Sequence, residues 1–425
     1  MSTVALANPK TKFSLTEDWT VVVLGLLSIV LSLNGLIIPA PVFGWTDASS
    51  LFSNVFTAKN GLLIAGQFAF TYVIALIGTG LIAGKSVRAT LLGFPVVFGL
   101  TLLALILAGN KTLKDLNLEA VIFSLGIGLA VGNLFRLPDW LRSSLSTELF
   151  VKIGLILLGT SVIFGDILKA GSLGLIQALA VVISVWYFAF WVSKRLKVDD
   201  ELTMMLASAV SICGVSAAIA TSGAIQGDSK KLSYVISLVL ITAIPMMLVM
   251  PYAAHAMGLS PAVTGAWLGG TIDTSGAVVA AGTLAGEEAL KISTIVKFSQ
   301  NVLLGVAAFA ISIYWTYTKN QTEVAQTSKP TLGVIWERFP KFVLGFLAAS
   351  LLFSFVVSPA TVDTVKGSLK SLQGLWFALA FTSIGLETRF SDLFNADNRR
   401  PMYAFLIAQT FNVVITLVIA YFLFR

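Results

Sequence analysis

Residues 269–282 read GGTIDTSGAVVAAG, a run of small and apolar residues with one acid, Asp273, among Thr271, Thr274 and Ser275. The run lies in an apolar block, residues 261–281, and a bilayer-spanning helix needs roughly 20 such residues. A charge at the centre of a span costs about 2.5 to 3.5 kcal/mol on insertion scales, so Asp273 is expected to face a cavity or a partner. Glycine weakens a helix, and unwound backbone at membrane depth persists only inside protein or along a water-filled cavity. The stretch therefore reads as a discontinuous helix, whose free N–H ends suit anions and whose free carbonyls suit cations. The blander reading is close helix packing through Gly, Ala, Ser and Thr, with Asp273 as a satisfied structural acid.

The rest of the chain supplies the setting. Of its 425 residues 56% are hydrophobic and 12% charged, and the apolar residues gather in blocks separated by short charged links. The blocks fall at residues 19–38, 62–84, 89–108, 120–135, 149–167, 173–192, 202–225, 232–256, 261–281, 292–315, 342–357, 375–386 and 402–424. The expectation is an all-α polytopic membrane protein with about 13 transmembrane helices. Residues 1–18 are polar and the first block is long enough to span, so no cleaved signal is expected. One cysteine, Cys213, and one histidine, His255, exclude a disulfide framework and a His cluster. The net charge of +7 reads as basic cytoplasmic loops rather than as a nucleic-acid surface. Strict alternation from a cytoplasmic N-terminus puts the larger share of Lys and Arg inside and the C-terminus outside.

Residues 1–118 carry the first three helices, a scaffold or insertion. Residues 119–256 and 257–425 carry five helices each, and an odd number per group makes the two groups inverted, a common plan among secondary transporters. Residues 317–341 form a cytoplasmic loop, and residues 139–148 and 361–372 are too polar to span and are expected in the interface. Two internal echoes compete: VKIGLILLG from Val151 with VKFSQNVLLG from Val296, and GTSVIFGDIL from Gly159 with GLETRFSDLF from Gly385.

Other polar residues at depth complete the candidate site. SICGVSAAIATSGAI, residues 211–225, offers Cys213, Gly214, Val215 and Ser216 as a second break. FTSIGLETRF, residues 381–390, offers Thr382 and Ser383, with Gly385 as a third break and Glu387 as a second coupling-ion acid. Glu387 and Arg389 alternatively make only an interfacial pair. Lys297 is followed by Ser299, Gln300 and Asn301, an unusually polar stretch for a span. Lys152, nearer its helix end, is a secondary charge that either attracts an anion or snorkels to water.

KIGLILLGTSVIFGDIL, SICGVSAAIA, GGTIDTSGAVVAAG and SIGLETRFSDL, in this order, make residues 120–425 resemble the YeiH-type sulfate exporter family of bacterial inner-membrane proteins. The resemblance implies a secondary transporter related in fold to bile-acid symporters and cation/proton antiporters, with two inverted five-helix repeats and crossing broken helices. Where that family commonly carries His-Glu, this chain has Asp273 and Thr274, so a His-Glu proton relay is not carried over. Residues 51–118 look like an insertion that serves as a scaffold or homodimer surface.

The combined expectation is an ion-coupled carrier of a small sulfate-like anion, without enzymatic activity or cofactor other than a coupling Na⁺ or H⁺. Its partners would be the anion and the lipid bilayer. Gly214, Val215, Ser216, Gly270, Thr271, Thr274 and Ser275 would give donors, Lys297 positive charge, Gln300 and Asn301 further contacts, and Asp273 the coupling site. The alternatives are a Na⁺/proton antiporter using Asp273 and Lys297, and a receptor or complex subunit that binds without transporting. No nucleophile–base pair or phosphate loop points to an enzyme.

Overall fold

A computed structural model describes residues 15–115, 120–319, 333–388 and 399–425. Helix starts follow the local sequence: Ser260 and Ser358 cap helices that open on Pro261 and Pro359, Asp199 caps the helix after Val198, and Thr274 caps the one after Asp273. The first five long helices are α1 Glu17–Leu33, α2 Ala58–Leu81, α3 Val87–Ala108, α4 Ala120–Leu134 and α5 Thr147–Leu158. There follow α6 Phe164–Arg195, α7 Asp200–Ser208 with a π turn Ala209–Cys213, α8 Val215–Ile225 and α9 Ser229–Ala256. The remainder are α10 Pro261–Thr271, α11 Ser275–Ala285, α12 Glu287–Lys319, α13 Phe342–Leu351, α14 Pro359–Glu387 and α15 Arg400–Phe424. Six of these, α2, α3, α6, α9, α12 and α15, are long and apolar enough to cross a membrane. Among the described residues the extended backbone pairs only as isolated bridges, one of which sets Leu15 beside Ile82 and so the start of α1 beside the end of α2. That face is called the N face here, and the opposite one, where α15 ends, the C face.

The blocks at residues 202–225 and 261–281 are broken as expected, but neither crosses. Lys231 at the start of α9 reaches Asp199 at 2.7 Å and Glu201 at 3.2 Å, so α8 has returned to the face from which α7 entered. A Cβ on Gly265 would lie 2.8 Å from Ala289 O and one on Gly282 2.8 Å from Leu290 Cα, so α10 and α11 both lean on the C-face half of α12. Each broken segment is a helical hairpin, the first from the N face and the second from the C face. Strict alternation fails at both points for the same reason: half-helices of eleven residues or so are too short to cross, at about 1.5 Å per residue.

Two further expectations change. Residues 361–372 belong to α14, a continuous 29-residue helix that buries Val365, Leu369 and Leu372. Gly385 makes no break. A Cβ there would lie 2.5 Å from Leu125 O, and one on Gly128 2.3 Å from Thr382 O, so these glycines let α4 and α14 touch backbone to backbone. In residues 139–148 a short helix, Asp139–Arg142, is followed by a turn that buries Leu145. The greater part of the 317–341 loop, residues 320–332, and the end of SIGLETRFSDL from Arg389 lie outside the described residues.

Helices α6, α7, α8, α9 and α15 share one apolar core, and α1, α3, α4, α5, α13 and α14 contribute to another that extends to α10–α12. Within the second core, Gly276 at the start of α11 faces Ile384 of α14 and Val151 of α5; a Cβ would stand 3.2 and 3.3 Å from them.

Candidate functional site

The tips of the two hairpins meet inside the protein. Gly214, at φ +57°, turns the first hairpin, a conformation that L side chains rarely adopt. A Cβ on it would lie 3.0 Å from the Cβ of Asp273, which occupies the second turn. Ile272 and Thr274 are extended there, so α10 ends at Thr271 and α11 restarts at Ser275.

A half-helix that ends inside the protein leaves orphan carbonyls, and here both are met by side chains of α12 and α15. Lys297 Nζ donates to Ile212 O at 2.8 Å, Ile272 O at 2.9 Å and Gln300 Oε1 at 2.9 Å. Gln300 Nε2 donates to Ser211 O at 2.8 Å and Gly270 O at 3.2 Å. Asn412 Nδ2 reaches Val210 O at 3.0 Å and Thr271 O at 3.1 Å, and Gln409 Nε2 also reaches Thr271 O at 3.2 Å. Gln177 Nε2, on α6, donates to Ala266 O at 2.7 Å, and Gly270 leaves it room, because a Cβ would come within 2.3 Å of that nitrogen. An ammonium has three donors, and all three of Lys297 are used. Its charge also complements the negative ends of two helix dipoles. Lys297 is 1% exposed and Asp273 2% exposed, yet no ion pair joins them among the described residues.

The acceptor side is less complete. Asp273 Oδ2, Gln409 Oε1, Thr271 Oγ1 and Asn301 Oδ1 are buried without a hydrogen-bond partner, while Asn301 Nδ2 donates to Ser275 Oγ at 3.3 Å. The N-terminal ends of the outgoing half-helices are also more open. Gly214 gives α8 no side-chain cap, Ser216 is exposed, and Val215, Thr274 and Ser275 are half-buried. Thr274 Oγ1 accepts from Ala277 N at 3.3 Å.

The structure thus brings together Cys213, Gly214, Val215, Ser216, Gly270, Thr271, Asp273, Thr274, Ser275, Lys297, Gln300 and Asn301. It does not bring Lys152 there. Lys152 lies at the N face against Glu17 at 3.2 Å, Asp18 at 2.9 Å and Glu148 at 3.4 Å, and Asp18 Oδ2 also accepts from Lys341 N at 2.9 Å, which ties α1, α5 and the start of α13. Glu387 is exposed at the end of α14. Thr382 and Ser383 are fully buried on α14; Thr382 accepts from Thr101 at 2.9 Å and Ser383 donates to Leu379 O at 2.9 Å. Sequence reasoning missed Gln177, Gln409 and Asn412. The signal was present in AQTFNVV, residues 408–414, where two amides sit inside an apolar block.

The family described as Conserved hypothetical protein 698 matches residues 92–404. A UPF0324 membrane protein of Rhodopirellula baltica is 41% identical over 376 residues, covering 86% of this chain and 67% of the relative. One from Nitratidesulfovibrio vulgaris is 38% identical and covers 80% of this chain but only 60% of its own length, so this chain spans about two thirds or less of these relatives. A UPF0324 membrane protein of Nitrosomonas europaea is 28% identical with 92% of both chains covered. No solved structure matches. With a family match over most of its length and several helices able to cross a bilayer, the chain belongs to the Conserved hypothetical protein 698 family and is a multi-pass membrane protein.

Proposed function

We propose that this protein is an ion-coupled secondary transporter that carries a small, sulfate-like anion by alternating access. One observation carries the reading: at the meeting of the hairpin tips, the carbonyl ends are closed by Lys297, Gln300, Gln409 and Asn412, whereas the N–H ends at Val215, Ser216, Thr274 and Ser275 are partly open. Donors and positive dipole ends are what remains for a ligand, and they suit an anion. Lys297 contributes by neutralising the carbonyl ends rather than by direct contact. Asp273 takes the coupling role, since a proton or Na⁺ would supply the partner that Oδ2 lacks. The contact of Gly276 on α11 with Val151 of α5 and Ile384 of α14 is a surface on which the hairpins could slide past the α5 and α14 pair. The hairpins, each followed by a long helix, α9 or α12, and entered from opposite faces, are the inverted elements of the fold. The N face is cytoplasmic in a bacterial inner membrane, because the first hairpin returns Lys230 and Lys231 to the side of Lys194 and Arg195 and enlarges the basic excess there.

The test is flux of labelled sulfate, sulfite and small carboxylates into proteoliposomes holding this chain alone, with an imposed pH or Na⁺ gradient. Gradient-dependent uptake that Asp273→Asn converts to exchange or abolishes is the expected result. Unaltered gradient dependence in Asp273→Asn would remove the acid from the mechanism. No flux of any anion would favour a binding protein or complex subunit. The burial of Lys297 beside Asp273 favours a second reading, cation/proton antiport; Na⁺-driven proton release without any anion would select it.

A further inference from the structure

On the lipid-facing side of the first hairpin, away from the tips, a cleft of about 360 Å³ lies between α6 and α12 and reaches Met204 of α7. Its α6 wall is Val182, Ile183, Trp186, Tyr187 and Phe190, on two helical stripes at i, i+4 spacing that run on beyond the cleft toward the N face. One runs Val182, Trp186, Phe190 and continues to Lys194; the other runs Ile183, Tyr187, Trp191 and continues to Arg195. Each stripe ends with its cation over its own last ring: Lys194 Nζ is 5.5 Å from the Phe190 centroid and the Arg195 guanidinium 5.6 Å from that of Trp191. The Trp186 and Phe190 rings stack at 5.3 Å, and α12 gives the small Ala307 and Ala310 opposite them, which is what opens the cleft.

We infer that this cleft is a binding site for one anionic phospholipid of the N-face leaflet, with an acyl chain between α6 and α12 and the phosphate at Arg195 and Lys194. The apolar stripes are of acyl-chain character, and they run into cations at the helix end, where a headgroup lies. Lys194 is shared with Asp200, whereas no acid pairs with Arg195 among the described residues, so its guanidinium can grip a phosphate in bidentate fashion. Neutral headgroups would gain the apolar contact without the charge. The inference is independent of the transport reading.

The test is binding of phosphatidylglycerol and of phosphatidylcholine with the same acyl chains to the full-length protein in detergent, by native mass spectrometry and thermal shift, with inorganic phosphate as a further probe. Wild type should prefer phosphatidylglycerol. Arg195→Gln should weaken that lipid by about fivefold, the effect of one basic residue at an anionic surface, and leave phosphatidylcholine unchanged. Ala310→Trp, which fills the cleft from α12 and leaves both cations in place, should weaken phosphatidylglycerol as well. Equal binding of the two lipids, a preference that survives Arg195→Gln, or a full shift from inorganic phosphate alone would each overturn the inference.

Discussion

Gln300→Leu separates a capping role for Gln300 from a ligand-binding one. The substitution keeps the side chain's bulk and removes three hydrogen bonds: two donated to Ser211 O and Gly270 O, and one accepted from Lys297. Neutral side-chain bonds inside membrane proteins average about 0.6 kcal/mol each, so the first two amount to roughly 1.2 kcal/mol. A bond to a buried charge contributes about 1.5–3 kcal/mol, and its loss leaves one N–H of a 1%-exposed ammonium without a partner. The total is about 3 to 4 kcal/mol, drawn from both hairpins at once because one amide spans the two tips. The assay is equilibrium unfolding in mixed micelles by SDS titration, alongside transport in liposomes. The expected result is a loss of that size with both hairpins becoming more accessible to proteolysis. Native stability combined with a raised KM alone would refute the capping argument and make Gln300 a substrate ligand.

Three other outcomes follow from the fold. With Cys213→Ser as background, Lys197→Cys and Lys230→Cys should be labelled by an impermeant thiol reagent from one face, and Met257→Cys and Glu288→Cys from the other; labelling of the first two from opposite faces would dissolve the first hairpin. Gly385→Ala should destabilise by about 1–3 kcal/mol through overpacking against the Leu125 carbonyl, whereas Gly367→Ala on the same helix meets nothing within 4 Å and should be neutral or slightly stabilising in the same unfolding assay. Burial raises the pKa of Asp199, but the hydrogen bond from Lys231 and the Leu202 N–H outweigh it and hold the carboxyl below its ordinary range. A carboxyl depressed in the folded state stabilises above its unfolded pKa, about 3.9, and the gain disappears as pH falls through the lower folded value. Asp199→Asn should therefore melt earlier than wild type at neutral pH, and the gap should narrow progressively as the pH is lowered beneath the ordinary carboxyl pKa of about 3.9; a gap that stays the same throughout would rule out ionisation as the cause.

Much of the site was legible because its chemistry is at odds with its surroundings. An acid beside glycines in an apolar block, and the run Lys297–Ser299–Gln300–Asn301 in another, both marked the meeting of the tips. The turn-back was not legible. A hairpin of two eleven-residue halves and one crossing helix have the same length and hydropathy, and only the pairing of Lys231 with Asp199, far apart in sequence, distinguishes them. Gly385 misled for a related reason: glycine marks a break at Gly214 and a backbone contact at Gly385, and the choice rests on whether another helix stands opposite. Residues 361–372 looked interfacial because polarity was read without the partners that α14 finds, such as Ser368, which accepts from Ile38 N at 3.0 Å.

The caps on the tips bear on how the chain can be assembled. Val210 O, at the end of the first half-helix, is received by Asn412, 202 residues later, and Thr271 O is received by the same amide and by Gln409. During synthesis α12 follows the second hairpin and brings Lys297 and Gln300 to the Ser211, Ile212, Gly270 and Ile272 carbonyls, but the helix that completes the caps comes later. Until α15 is in place, the Val210 and Thr271 carbonyls must stay with water or with the insertion machinery, so the hairpins settle to full depth only after the final described helix has been delivered. A ribosome stalled before α15 would leave two polar loops at the membrane surface, a local unfolded state that a membrane protease can recognise.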